Sequence, residues 1–203
     1  MRFVLASNNA HKLGEFREIL SGSGVTVLSQ KEAGIAVSPE ENGATFEENS
    51  LIKARAACEA SGLPAIADDS GLAVDALGGE PGIYSARYGG PGLSDGDRYR
   101  YLLERMKGVE DRRARFVCCV SCVFPDGEEL TARGECEGRI LTAPEGDGGF
   151  GYDPVFFSDD LGKGLGTASG EEKNGISHRG RALRAMCALL EEHLRNRNGG
   201  SAE

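Results

Sequence analysis

Residues 114–124 and about 128–142 read as one long β-hairpin turning at Pro125-Asp126-Gly127, and no other feature limits the fold as strongly. A hairpin is antiparallel, whereas the remaining strand candidates alternate with helices. The two patterns together call for a mixed β-sheet flanked by helices, an α/β fold. Strand 114–124 also carries Cys118, Cys119 and Cys122, three of six cysteines. Strand side chains alternate faces, so Cys118 and Cys122 fall beside Phe116, Val120 and Phe124, and Cys119 points away. That pattern reads as packing of reduced thiols. A closed zinc site would need about four converging ligands.

Before the hairpin, residues 2–6 read as a short buried strand. A helix is predicted over 11–21, with Leu13, Phe16, Ile19 and Leu20 as its apolar stripe. A second short strand follows at 25–28, then an irregular stretch over 29–44. Thr45-Phe46-Glu47-Glu48 has the form of a capping box, and a long helix should run to about Ser61, where Gly62 and Pro64 stop it. Residues 65–67 and 72–74 are apolar strand candidates interrupted by Asp68-Asp69-Ser70-Gly71. A glycine-rich loop fills 78–92, Ser94 and Asp97 cap a helix to about Met106, and 144–176 is again loop-rich. A last helix starts near His178. From Asn196 the chain turns polar and is expected to fray. There is no internal repeat and no long linker, so residues 1–195 are expected to form a single domain and 196–203 a polar tail.

The 203 residues carry a net charge of −9, from 23 basic and 32 acidic side chains. A general nucleic-acid binder would present a basic patch, so no nucleic-acid partner is expected. No run of about eighteen apolar residues is present, so no membrane span is expected. The apolar start is too short for a signal peptide, and the expected location is cytoplasmic. A polyanionic ligand would have to be held by local cations and a metal against the overall field.

Four segments concentrate chemistry. Ser7-Asn8-Asn9-Ala10-His11-Lys12 joins the first strand to the first helix. It reads either as a phosphate site built from helix-start N–H groups and Lys12, or as an ordinary helix cap with a surface lysine. Asp68-Asp69-Ser70-Gly71 sets two carboxylates side by side after an apolar strand. It reads either as a hard-cation site, with Glu41 as a further carboxylate, or as a capped turn. Gly148-Gly149-Phe150-Gly151-Tyr152-Asp153-Pro154 offers close backbone approach and an aromatic stacking face, or a β-turn with packed aromatics. Lys173 with Ser177-His178-Arg179 supplies donors for a carbonyl or phosphate oxygen, or a helix cap. Lys53 and Arg55, on the long helix, read as solvated-face residues.

Together these segments closely resemble the inosine triphosphate pyrophosphatase family, the XTP/dITP diphosphatases. The stretches that carry the resemblance are SNNAHKLGEF (7–16), TFEENSLIKARAA (45–57), AIADDSGLAVDALGGEPGIYSARYGG (65–90), GGFGYDPVFF (148–157) and EEKNGISHRGRAL (171–183). The resemblance implies an elongated mixed sheet with helices forming a single domain of two lobes around a nucleotide cleft, a homodimer, and Mg2+-dependent release of pyrophosphate from ITP, dITP and XTP. It implies that residues 7–12 line the triphosphate site, that Lys53 reaches phosphate and that Glu41 and Asp69 hold magnesium. Asp69 would also accept the proton from water, assisted by Asp68. Ser70 would touch substrate. Phe150, Gly151, Tyr152, Asp153, Lys173, His178 and Arg179 would enclose the base. One departure stands out: the first loop reads Ser7-Asn8-Asn9 where Thr-Gly-Asn is common. Two rivals remain open, a septum-associated nucleotide pyrophosphatase and a non-catalytic nucleotide sensor.

Overall fold

The computed structural model describes residues 1–22 and 24–199. In chain order the elements are β1 (Arg2–Leu5), α1 (Ala10–Ile19), β2 (Thr26–Leu28), α2 (Phe46–Ser61), β3 (Ala65–Val74), α3 (Asp95–Arg105), β4 (Arg113–Val123), β5 (Glu129–Ile140), β6 (Phe156–Ser158), β7 (Lys163–Gly164), α4 (Gly170–Ile176) and α5 (His178–Gly199). The strands form a seven-stranded sheet in the order β2-β1-β3-β4-β5-β6-β7. β1 pairs in parallel with β2, Phe3 opposite Val27, and in parallel with β3, Val4 opposite Ala65. β5-β6 and β6-β7 are antiparallel, with Arg139 opposite Phe157 and Phe157 opposite Gly164. The mixed sheet expected from the hairpin is therefore present.

The chain divides into two compact units. The first comprises Met1–Asp69, Cys119–Gly134 and the C-terminal stretch from Arg179; the second comprises Ser70–Cys118 and Glu135–His178. In the first, α2 buries Ala54, Ala57 and Cys58 against Val4 of β1, Ala65 and Ala67 of β3 and Val123 of β4. Alanines on that face keep the helix close to the strands and bring its next polar positions near β3. In the second, Leu72, Val74, Leu102, Met106, Phe116, Ile140, Val155 and Phe156 form the core. Among the described residues no helix is long and apolar enough to cross a membrane.

Helix ends follow local chemistry. Thr45 caps α2 by accepting the Glu48 N–H at 3.1 Å, and the helix stops at Gly62 in the left-handed region, φ 67°. The Glu48 carboxylate, however, accepts the N–H of Ala44 rather than that of Thr45, so the expected box is displaced by one residue. Ser94 caps α3 as expected.

Three expectations need correction. Residues 65–67 and 72–74 are one ten-residue strand, because Asp68 to Gly71 continue it instead of turning. The stretch 144–176 contains β6, β7 and α4; α4 opens with a reciprocal capping box between Ser169 and Glu172, an S-x-x-E signal present in the sequence. The expected fraying from Asn196 gives way to helix as far as Gly199, and residues 200–203 lie outside the described residues. The cysteines of β4 are all buried, and burial pushes the Cys122 thiol well up.

Candidate active site

β3 carries the two aspartates into the fold with their side chains on opposite faces, as an extended backbone requires. Asp68 is 2% exposed. Its Oδ1 lies 2.9 Å from Lys12 Nζ, and its Oδ2 accepts from Arg179 Nε at 3.1 Å. Arg179 Nη1 also donates to Glu15 at 2.5 Å. Burial disfavours the Asp68 carboxylate, but Lys12, Arg179 and Lys53 outweigh it and hold its pKa far below the usual range. Asp68 thus joins the start of α1 to the start of α5.

Asp69 faces α2. Lys53 Nζ donates to Asp69 Oδ1 at 3.1 Å and to Glu41 at 3.1 Å, and Asn49 Nδ2 donates to Asp69 Oδ2 at 3.3 Å. Burial raises the Asp69 pKa; Lys53 pulls against that rise and Glu41 adds to it. Burial also works against the Lys53 ammonium, yet Asp69, Asp68 and Glu41 prevail and raise its pKa. Lys53 is accordingly no solvated-face lysine: its side chain is 12% exposed. Arg55 instead pairs with Glu129 at the surface.

The first loop is organised by its own side chains. Ser7 Oγ accepts the Asn9 N–H, and Asn9 Oδ1 accepts the N–H groups of His11 and Lys12 at 2.9 and 3.2 Å. Capping therefore accounts for those two N–H groups, while Lys12 is drawn to Asp68 rather than left at the surface. No non-glycine residue among those described has a positive φ, so Asn8 stands in the glycine position without left-handed backbone.

In the second unit, Asp153 is 2% exposed and accepts from Lys173 Nζ at 2.6 Å and from the Phe150 N–H at 2.8 Å. The Lys173 ammonium stands 4.2 Å from the Phe150 ring centroid. Gly151 N–H donates to Asp95, and Tyr152 Oη donates to the Ser85 carbonyl at 2.8 Å. His178 stacks on Phe116 with centroids 4.9 Å apart. Ser70 is half-buried on β3 directly after Asp69.

A family model described as Ham1 family matches residues 3–189. The chain belongs to the Ham1 family. It is 54% identical over 198 residues to the dITP/XTP pyrophosphatase of Symbiobacterium thermophilum, covering 94% of this chain and 98% of that protein. It is 50% identical over 194 residues to a dITP/XTP pyrophosphatase of Thermus thermophilus, covering 95% and 93%. The solved structure of the Staphylococcus aureus Ham1 protein superposes with a TM-score of 0.87 at 42% identity, covering 95% of this chain and all of that one. Within this Ham1-family fold, two buried-site residues escape the sequence reading, Glu15 and Asn49. Glu15 follows Lys12 by three positions on α1, a helical spacing that signals a shared face. Asn49 follows Thr45 in the same motif and carries no separate signal.

Proposed function

We propose that this chain hydrolyses non-standard purine nucleoside triphosphates, ITP, dITP and XTP, to the nucleoside monophosphate and pyrophosphate. The observation that carries the reading is the buried pair Asp68 and Asp69, each held by its own lysine, in a Ham1-family chain about half identical to dITP/XTP pyrophosphatases. A protein that only bound nucleotide would gain little from burying two like charges.

The donor set suits a divalent cation. Asp68, Asp69, Glu41 and Glu15 face three cations, Lys12, Lys53 and Arg179, leaving one negative charge in excess. Lys53 already brings one positive charge between Glu41 and Asp69. No group of three or more His, Cys, Asp or Glu side chains placed for a metal occurs among the described residues. The two carboxylates Glu41 and Asp69 are within the needs of magnesium, which retains several waters and takes about one or two carboxylates plus substrate phosphate. Glu41 and Asp69 would hold it, and bound there it neutralises charge developing on phosphate oxygens.

The side chains then divide the work. Asp69 takes the proton from the attacking water. Asp68 keeps Lys12 in place. Lys12 and Lys53, with the 7–11 loop, meet the phosphates. In the second unit, Phe150 offers a stacking face, with Gly151, Tyr152, Asp153, Lys173 and His178 shaping the base site; Ser70 and Arg179 complete the substrate contacts. A donor facing a 6-keto oxygen is left unpaired by the 6-amino group of adenine, a mismatch that can reach about 10⁴-fold in discrimination. The protein would act on a cytoplasmic nucleotide pool as a homodimer, without a nucleic-acid partner.

The test is purified protein with Mg2+ and ITP, XTP, GTP, ATP, dTTP and UTP, with pyrophosphate and orthophosphate measured separately. Pyrophosphate from ITP and XTP well above GTP and ATP is expected. Preference for dTTP or UTP would favour the septum-type enzyme, orthophosphate release a general triphosphatase, and no turnover a sensor.

A further inference from the structure

One face of α2 grips both oxygens of Asp69. Asn49 and Lys53 are four residues apart, hence one above the other on the helix; Asn49 meets Oδ2 and Lys53 meets Oδ1. Asn49 is 1% exposed, so its amide has no water to turn to. Its other end is also committed: Asn49 Oδ1 accepts the Gly43 N–H at 2.9 Å. That bond sets the amide orientation, because an N–H donor requires the oxygen on that side and leaves Nδ2 for the carboxylate. The next backbone N–H, at Ala44, is held by Glu48 at 2.6 Å. Two consecutive loop N–H groups are therefore fastened to the first turns of α2, just after Glu41. The fit is tight at Gly43. A Cβ there would lie 2.7 Å from Asn49 Oδ1 and 2.7 Å from Glu48 Cβ. Its φ is outside the left-handed region, so lack of space alone demands glycine.

We propose that Asn49 is a positioning residue for the cation site: one amide fixes the plane of the Asp69 carboxylate and, through the Gly43 N–H, the loop that carries Glu41. Asp69 Oδ1 and the Glu41 carboxylate are thereby kept on the same cation. The Asn49 amide is spent on Gly43 and Asp69, so it acts through them. It acts on two carboxylates that come from the stretch before α2 and from β3 and are otherwise joined through Lys53. Partners of this kind behind metal-holding carboxylates characteristically change metal affinity by about 10- to 100-fold. The inference rests on the cation reading given above for Glu41 and Asp69.

The experiment is binding of Mn2+ alone, without nucleotide, followed by the electron paramagnetic resonance signal of the free aquo ion. Wild type is compared with Asn49→Leu and Gly43→Ala, and thermal melting is recorded for each. Asn49→Leu removes both hydrogen bonds at similar volume; Gly43→Ala forces the loop off the amide and leaves Asn49 in place. Both are expected to weaken Mn2+ binding about tenfold or more, with a parallel rise in the metal concentration that half-activates ITP hydrolysis. A merely structural role would lower the melting temperature and leave the Mn2+ dissociation constant of the folded protein unchanged. An unchanged constant in either folded variant overturns the proposal, and if Asn49→Leu does not fold, Gly43→Ala decides. Wild type that hydrolyses ITP and binds Mn2+ while the variants bind it equally well sinks only the role of Asn49. Wild type that binds no Mn2+ sinks the cation reading and this inference with it.

Discussion

Asp68 and Asp69 are chain neighbours with the same side chain, yet their surroundings push them in opposite directions. Asp68 lies between Lys12 and Arg179 and is held ionised; Asp69 is left with one ammonium shared with Glu41, and its pKa rises. The two should therefore fail differently. Asp69→Asn keeps the shape and the Asn49 contact but cannot take a proton, so kcat is expected to fall about 10²- to 10⁴-fold in pyrophosphate-release assays. Asp68→Leu leaves Lys12 and Arg179 facing an apolar group. Breaking a buried pair in this way costs about 3–5 kcal/mol, to be read as a lower midpoint in urea unfolding. The pH dependence carries the sign. The lowered pKa of Asp68 contributes stability that is present above the ordinary carboxylate value of about 4 and is lost as pH falls through the folded value. Asp69, with its pKa raised, contributes the reverse slope. Asp68→Leu should therefore flatten acid destabilisation below about pH 4 relative to wild type. That the aspartates point apart follows from β3 running through both, where the sequence reads as an interruption between two strands. Which cation each would meet was not legible, because Arg179 is 111 positions away in the chain.

At the level of elements, the parts written in local chemistry were legible and the parts that depend on distant partners were not. Thr45, Ser94 and Gly62 mark helix ends that the structure reproduces. Asp68-Asp69-Ser70-Gly71 has the composition of a turn, yet β3 runs straight through it, because Lys12, Arg179 and Lys53 neutralise the acids where they stand. Helix α4 is missing from the sequence reading although Ser169 and Glu172 announce it, since seven residues are too few to show an apolar period. The cap of α2 has consequences beyond its own turn, because that helix holds both Asn49 and Lys53. Thr45→Ala is expected to cost about 1 kcal/mol of stability, measured by denaturant unfolding. Most of the loss should appear as easier opening of the first turn of α2, visible as faster amide exchange at Glu48 and Asn49 than at Ala57.

For the whole molecule, the net charge of −9 means that nucleotide affinity cannot come from the long-range field and must come from the few cations gathered around β3. The charge deficit there makes the apoprotein electrostatically incomplete, and a divalent ion should stabilise it as well as activate it. A ligand that binds only the folded state contributes about 2.7 kcal/mol at a concentration one hundred times its dissociation constant. For a chain of 203 residues that corresponds to a rise in Tm of about 5–10 °C. Chelation with EDTA should abolish pyrophosphate release and lower Tm by that amount, and excess Mg2+ should restore both. Every side chain assigned to the ion belongs to the first compact unit, so calorimetry can also ask whether the two units unfold together. β3, β4 and β5 each contribute residues to both units, which favours a single transition. One endotherm should therefore move as a whole with Mg2+. A thermogram in which one component shifts and another stays fixed would show that the ion stabilises the first unit alone, and an unshifted trace would remove Glu41 and Asp69 as its ligands.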